Sequence, residues 1–283
     1  MTGTIILDSN NLSPNGVFNT STVVAPFNQF TQNMRGLNLT GRKIGLRKMY
    51  IYYSWPNIVN DNSITISWNV AGTYSDFTWS LPAKRNFADV AELNQSLQDF
   101  CIDNGLYLIN GTANVYYLEL VANANSYKIE LNEFKVPTSL PSGYSAPSNF
   151  VGYPTVSCTP KFTIPTGSEL CDLIGFLAGT FDGGTTATQY VSSYVPQFSP
   201  VSCIYITCNI AKNDVPINGS TVIASFTTRG TSYGAMITVE TQASMDWYEI
   251  DTNSNLLEVR LWDQNWNPLY TQDPQTMIQL SVM

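Results

Sequence analysis

Apolar and polar residues alternate along several stretches of this chain, the period-2 signature of a strand with one buried face. Ile64, Ile66, Trp68 and Val70 interleave with Ser63, Thr65, Ser67 and Asn69. Tyr127, Ile129 and Leu131 interleave with Ser126, Lys128 and Glu130, and Leu257, Val259 and Leu261 with Glu258 and Arg260. Ile278, Leu280 and Val282 fall on one face of a final strand, and Met49, Ile51, Tyr53 and Trp55 on one face of an early one that runs from Ile44 to Trp55. The run from Val201 to Ile210 is apolar at nearly every position, which predicts a central strand covered on both sides. Turn chemistry divides these runs. Asn15-Gly16, Asn104-Gly105, Asn110-Gly111 and Asn218-Gly219 tolerate positive φ, and Asp182-Gly183-Gly184 and Asn267-Pro268 add further breaks. At least nine short strands separated in this way predict an all-β sandwich.

Two segments change period. From Phe87 to Cys101, the residues Phe87, Val90, Leu93, Leu97 and Phe100 form a helical stripe, with Asp89, Glu92, Gln95 and Gln98 facing away and Asn86 placed as N-cap. A shorter helix is expected near Ser168 to Leu177, with Thr166 and Glu169 spaced as a capping box. Both read as helices packed over a sandwich end. The stretch from about Pro137 to Pro160 is rich in Pro, Ser, Gly and Tyr and reads as an ordered long loop or an arm lying on a neighbour. No internal repeat is visible, and 283 residues with two helices leave little room for a second sandwich.

Composition narrows the role. Hydrophobic residues make up 43%, enough for a sizeable core, but charged residues only 12%, about half the usual share of a soluble domain. The polar surface is therefore mainly Asn, Thr, Ser, Gln and Tyr, groups that are cheaper than charges to desolvate at an interface. The formal net charge of -8 argues against the chain as a whole being a nucleic-acid binder. Five basic residues nevertheless cluster: Arg35, Arg42, Lys43, Arg47 and Lys48. They read as a solvated face or a set of inter-subunit ion pairs, with a basic inner surface facing packaged nucleic acid as the sharper alternative. The opening residues lack a basic segment followed by a long apolar one, so no signal peptide is expected, and no apolar run is long enough to span a membrane. The odd count of five Cys and the absence of a C-x-x-C pair point to buried free thiols.

Catalysis finds little support. The chain contains no His, which removes Ser-His-Asp and Cys-His sites and imidazole metal ligands. Gly230-Thr-Ser-Tyr-Gly234 fits G-x-S-x-G by letters, but the run after it reads as a strand, whereas a nucleophile elbow leads into a helix. Paired carboxylates for glycoside hydrolysis are sparse: Asp172 and Asp182 flank a loop, and Asp246, Glu249 and Asp251 lie together as solvated loop acids. Asp263 is expected to shape a hairpin turn. Of the six Trp, Trp266 at that turn is the best candidate for an exposed aromatic that could serve a sugar platform. No cofactor or metal is expected.

Three stretches carry a resemblance. Ile164-Pro-Thr-Gly-Ser-Glu-Leu-Cys-Asp-Leu-Ile-Gly-Phe176 resembles the I-x-x-G-S-x-L-x-x-L-L-G-F pattern of penton and related minor capsid proteins of virophages and polinton-like viruses. Leu256 to Leu269, followed by a last apolar strand, is similar to the C-terminal hairpin of that group, and Arg47 to Ile58 to its early strand. The helix from Phe87 to Cys101 resembles one that sits between such features. The resemblance implies a single jelly-roll β-sandwich of two antiparallel sheets over residues 1–283, with one or two short helices, long loop insertions and room for an insertion within about 60–160. It implies a non-enzymatic capsid subunit that forms homopentameric vertices of an icosahedral shell in the virion, assembled inside the host cell. Its partners would be other copies of itself, neighbouring major capsid protein subunits and, weakly, packaged nucleic acid. A carbohydrate-binding or attachment β-sandwich module is the alternative.

Overall fold

The computed structural model describes residues 3–8, 28–212, 220–241, 245–251 and 253–283. The Asn15-Gly16 and Asn218-Gly219 turn signals lie outside the described residues. The chain opens with β1 (Gly3–Asp8), β2 (Gln29–Asn33) and β3 (Lys43–Tyr52). It continues through β4 (Asn62–Val70), β5 (Thr73–Leu81), α1 (Val90–Asp103), β6 (Tyr107–Asn110), β7 (Ala113–Tyr116), β8 (Leu118–Asn123) and β9 (Lys128–Glu133). Next come β10 (Tyr144–Ser145), β11 (Lys161–Ile164), α2 (Leu170–Ile174), β12 (Gly179–Asp182) and β13 (Thr188–Val191). The last stretch holds β14 (Ile204–Cys208), β15 (Ala211–Lys212), β16 (Thr221–Phe226), β17 (Met236–Glu240), β18 (Tyr248–Ile250), β19 (Leu256–Trp262) and β20 (Thr276–Val282). All pairings between these strands are antiparallel.

Two compact units result. The first combines Met1–Pro56 with Val201–Met283, and the second is the intervening Asn57–Pro200. In the first unit one sheet runs β1-β20-β3-β17, with the short β18 and β15 continuing from the other end of β3, and the second sheet runs β16-β14-β19-β2. Counted along the chain, the eight long strands of this unit fall in the order 1-8-3-6 in one sheet and 2-7-4-5 in the other. That is the strand order of a jelly roll, in which two Greek keys wrap a single sandwich. The protein is therefore an all-β jelly-roll sandwich with two short helices, and the second unit sits in the connection between the third and fourth strands of the roll.

The alternations seen in the sequence supply the interior. Leu257, Val259 and Leu261 of β19 face Ile278, Leu280 and Val282 of β20 across one core, joined by Ile44, Leu46, Met49 and Ile51 of β3. The buried set on β3 shifts phase between Leu46 and Met49 because a bulge interrupts its register with β20, where Leu280 pairs with Leu46 but Gln279 pairs with Lys48. The extra residue leaves both Arg47 and Lys48 outside the core. The expected central strand is β14, flanked by β16 and β19.

The second unit has its own core and three small sheets, β12-β11-β4-β5, β13-β9-β8 and β10-β6-β7. Helix α1 starts later than its apolar stripe suggests. Asn57 takes both backbone groups of Phe87, accepting from its N–H at 2.9 Å and donating to its carbonyl at 2.8 Å. Phe87 is thus buried ahead of the helix, and Asp89 becomes the N-cap by accepting from Glu92 N–H at 2.9 Å. The expected capping box on α2 does not form. The Glu169 carboxylate accepts instead from the N–H groups of Val59 and Asn60, at 2.7 and 3.2 Å. The long 137–160 segment is an ordered loop on its own unit: Trp68 Nε1 donates to Gly152 O at 3.1 Å, and Asn149 caps the end of α1 by donating to Ile102 O at 2.9 Å.

Leu280 is fully buried beside the β3 bulge. Leu280→Ala is expected to lower the stability of the jelly-roll unit by ~2–5 kcal/mol, read as a drop in the urea midpoint at unchanged slope.

Candidate assembly surface

The basic cluster lies mostly along β3 and the turn before it. Arg35 and Lys43 are exposed, and Arg42, Arg47 and Lys48 are half-buried. The neighbouring strands answer these charges. Glu240 of β17 stands opposite Lys48 and forms an ion pair with it, and Glu249 of β18 stands opposite Lys43. Opposite charges in register stabilise a sheet pair locally, and the Glu240 carboxylate raises the pKa of the Lys48 ammonium. Lys48 also lies over the Tyr50 ring at 4.7 Å. One member of the cluster, Lys48, is therefore ion-paired within the chain, and Lys43 faces Glu249 in strand register.

Beside Arg42, a groove of about 280 Å³ is bounded by Gly3, Thr4 and Ile5 of β1, Leu37, Asn38 and Leu39 of the 34–42 turn, and Val282. Among the described residues β1 pairs with β20 alone, so it is an edge strand. It carries Ile6 at 56% exposure, and Leu37 across the groove is 54% exposed. An edge strand with exposed apolar side chains is a ready surface for a second chain. Neither Ile6 nor Leu37 stood out in the sequence: Leu37 is a lone apolar residue at a turn, and Ile6 sits in the continuous apolar run Ile5-Ile6-Leu7, which does not tell the exposed face from the buried one.

Trp266 sits at the 263–267 hairpin tip as expected, but it is half-buried. Its ring stacks on Tyr205 of β14 at 4.8 Å with an 8° interplanar angle, and Trp262 lies 6.4 Å away. Trp266 has φ +63, a left-handed conformation that costs a non-glycine residue ~1–2 kcal/mol. The stack returns about 0.5–1.5 kcal/mol, and Asp263 holds the turn by accepting from Asn265 N–H at 2.8 Å and Asn267 N–H at 2.9 Å. Because the stacked rings cover each other's faces, the arrangement is a structural clasp more than an open platform. Trp55, Trp68 and Trp79 are core residues.

The G-x-S-x-G stretch forms a turn between β16 and β17. Thr231 N–H donates to Thr228 O at 2.9 Å, Gly230 and Gly234 adopt positive φ, and the strand β17 follows. Asp182 is engaged by Lys161 at 2.9 Å and Asp251 by Lys212 at 3.8 Å. All five cysteines are free; burial pushes the Cys101 thiol up to about 12 and Cys208 up to about 11, so neither offers a thiolate near neutral pH.

No family model matches the chain, and no curated protein does. Among solved structures, the chain is similar to the mavirus penton protein, known from a crystal structure of its selenomethionine-labelled form. The alignment covers 100% of this chain and 97% of that one, at 14% identity and a TM-score of 0.40. That degree of superposition is too low to carry a function across.

The hairpin clasp makes a specific expectation. Asp263→Ala removes the acceptor that holds this exposed turn and should lower stability by ~0.5–1.5 kcal/mol, with a red shift of tryptophan emission as the Trp266 stack opens. Asp263→Asn keeps the acceptor oxygen and should behave close to the parent chain.

Proposed function

We propose that this chain is a structural capsid subunit, a penton whose jelly-roll unit assembles as a homopentamer at the vertices of an icosahedral shell and which has no enzymatic role. The observation that carries this reading is the 1-8-3-6 and 2-7-4-5 strand order of its two sheets. Such a sandwich is closed on its inner faces and leaves its edges and flanks free, and a heterologous contact between flanks with a closing rotation generates a ring without any change in the subunit. Low charge supports the same reading: with only 12% charged residues, extended surfaces can be desolvated without leaving ions unpaired.

The 57–200 unit is read as an insertion into one capsid domain. The edge strand β1 and the groove beside it are read as part of the contact between copies. Neighbouring major capsid subunits would meet the remaining flanks, and Arg35 would be available to a partner or to packaged nucleic acid. The site of action on this reading is the virion. No helix among the described residues is long and apolar enough to cross a membrane.

Native mass spectrometry of the purified chain, alone and mixed with its shell partner, tests the proposal. A discrete five-chain species is expected. Ile6→Asp and Leu37→Asp, both on exposed positions, should change folding stability by no more than ~0.5 kcal/mol while weakening the pentamer by about tenfold or more, the loss expected for ~1.4 kcal/mol. A chain that remains monomeric under both conditions overturns the reading.

A further inference from the structure

The inserted unit contains a buried carboxyl that continues an apolar strand face. On β9, Ile129 and Leu131 point into the core, and the next residue on that face is Glu133, only 1% exposed. Its Oε2 accepts from Gly183 N–H at 2.7 Å. Its Oε1 is buried without a well-formed hydrogen bond, and so is Oγ1 of Thr159, a fully buried side chain close enough to act on the carboxyl. Such orphaned buried oxygens are rare in folded proteins and call for an explanation.

The surroundings give one. Gly183 begins the turn that carries the chain from β12, in one sheet of this unit, to β13, in another. A side chain at Gly183 would lie 2.6 Å from Thr186 O and 2.7 Å from Thr188 Oγ1, so the turn is closely packed. Thr159 N–H donates to Gly184 O at 2.8 Å, and Thr188 pairs with Glu133 at the start of the β13–β9 ladder. Glu133 and Thr159 therefore tie the turn to the strands beneath it. The ionisable groups that act on Glu133 are Asp182 at the end of β12 and Tyr190 on β13, while Lys161 of β11 is occupied by Asp182. Opposite Glu133 on β8 stands Leu118, and Glu130 of β9 faces away to Asn123 and Gln189. No cation is directed at the Glu133 carboxyl among these groups.

We propose that Glu133 is a proton-operated latch: with its carboxyl protonated it holds the 183–187 turn closed over β9, and on ionisation it releases that turn. The neutral acid supplies a hydrogen that Thr159 Oγ1 can accept, satisfying both orphaned oxygens. The carboxylate can take the Thr159 hydroxyl hydrogen at Oε1, but burial outweighs that gain; it lies beside the like-charged Asp182 and can be hydrated only if the turn lifts. Burial accordingly pushes the Glu133 pKa from the ordinary 4.5 to about 7, against smaller opposing effects of the Gly183 N–H and the Thr159 hydroxyl. The sign follows from proton linkage. Between about pH 4.5 and 7 the folded unit holds a proton that the unfolded chain has lost, so stability falls as pH rises through that window and levels off above it.

Two measurements on the full chain decide the matter. In a ¹³C titration of the side-chain carboxyls, assigned by the signal lost in Glu133→Gln, Glu133 should titrate near pH 7. A midpoint in the ordinary range, below about pH 5, overturns the proposal. In hydrogen exchange corrected for intrinsic rates, protection of the 183–190 amides should fall by about tenfold or more from pH 5 to pH 7 and level off above that. Glu133→Gln, which keeps a donor for Thr159, should hold that protection constant. Equal protection of the parent chain at both pH values, or an unchanged pH dependence in Glu133→Gln, also overturns it. If Glu133→Gln fails to fold, Thr159→Val serves instead: removing a hydroxyl that favours the charged form should move the Glu133 midpoint upward, and an unchanged or lower midpoint counts against the latch.

Discussion

Neither sheet of the jelly-roll unit can bury its apolar face without the other, and the chain is strung so that the two must form together. Of the connections between successive long strands, only the one from β14 to β16 stays within a sheet; the rest cross from one sheet to the other. The buried rows of β3, β19 and β20 consequently share one core built from residues at both ends of the chain. Each fully buried Leu, Ile or Met in it contributes about 1.5–3 kcal/mol, and none of that is available to a half-formed sandwich. The other features of the unit, including the β3 bulge, the hairpin clasp at Trp266 and the exposed β1 edge, are consequences of closing this interior.

The same wiring explains how the chain tolerates a second unit between β3 and β14. Closure entropy grows only logarithmically with loop length, about 0.6 kcal/mol per doubling. A long connection is therefore cheap provided the inserted residues find their own core, and those of 57–200 do. One of the three stretches that resemble a capsid family, Ile164 to Phe176, lies in this unit, and packing accounts for its letters. Ile164, Leu170, Leu173, Ile174 and Phe176 are buried. Gly175 has φ +74, and a side chain there would lie 2.2 Å from Tyr194 O. Ser168 Oγ donates to Asn62 at 2.9 Å. These positions specify a fold rather than a reaction.

Much of this architecture was legible because period-2 burial writes itself directly into residue type. The strand faces at Ile64 to Trp68, Leu257 to Leu261 and Ile278 to Val282 are cases where hydrophobicity and burial coincide. Legibility fails where they part. Tyr127 continues an apolar alternation in the sequence, yet it adopts φ +54 at a turn and is 79% exposed. The true continuation of that face is Glu133 at the other end of β9, whose residue type hides its burial. Helix α1 was displaced for a similar reason: Asn57, thirty residues away, claims Phe87, and no local pattern announces that contact. The Trp266–Tyr205 stack likewise joins residues sixty-one positions apart.

The basic cluster shows why a candidate assembly surface is harder to read than a core. In sequence, Arg42, Lys43, Arg47 and Lys48 form one dense positive run. In the sheet, the β3 bulge turns Arg47 and Lys48 outward together, and the partner strands bring Glu240 and Glu249 into register with Lys48 and Lys43. Charge that is conspicuous along the chain is thus answered in part within it, at Lys48. Also at the unit's flank are the exposed Arg35 and Lys43, an edge strand and two apolar side chains, Ile6 and Leu37. A catalytic site must contain particular reacting groups and so leaves a signature in residue types. A contact between copies needs only shape and balanced polarity across two surfaces, and that complementarity belongs to the pair of surfaces rather than to any single stretch of chain.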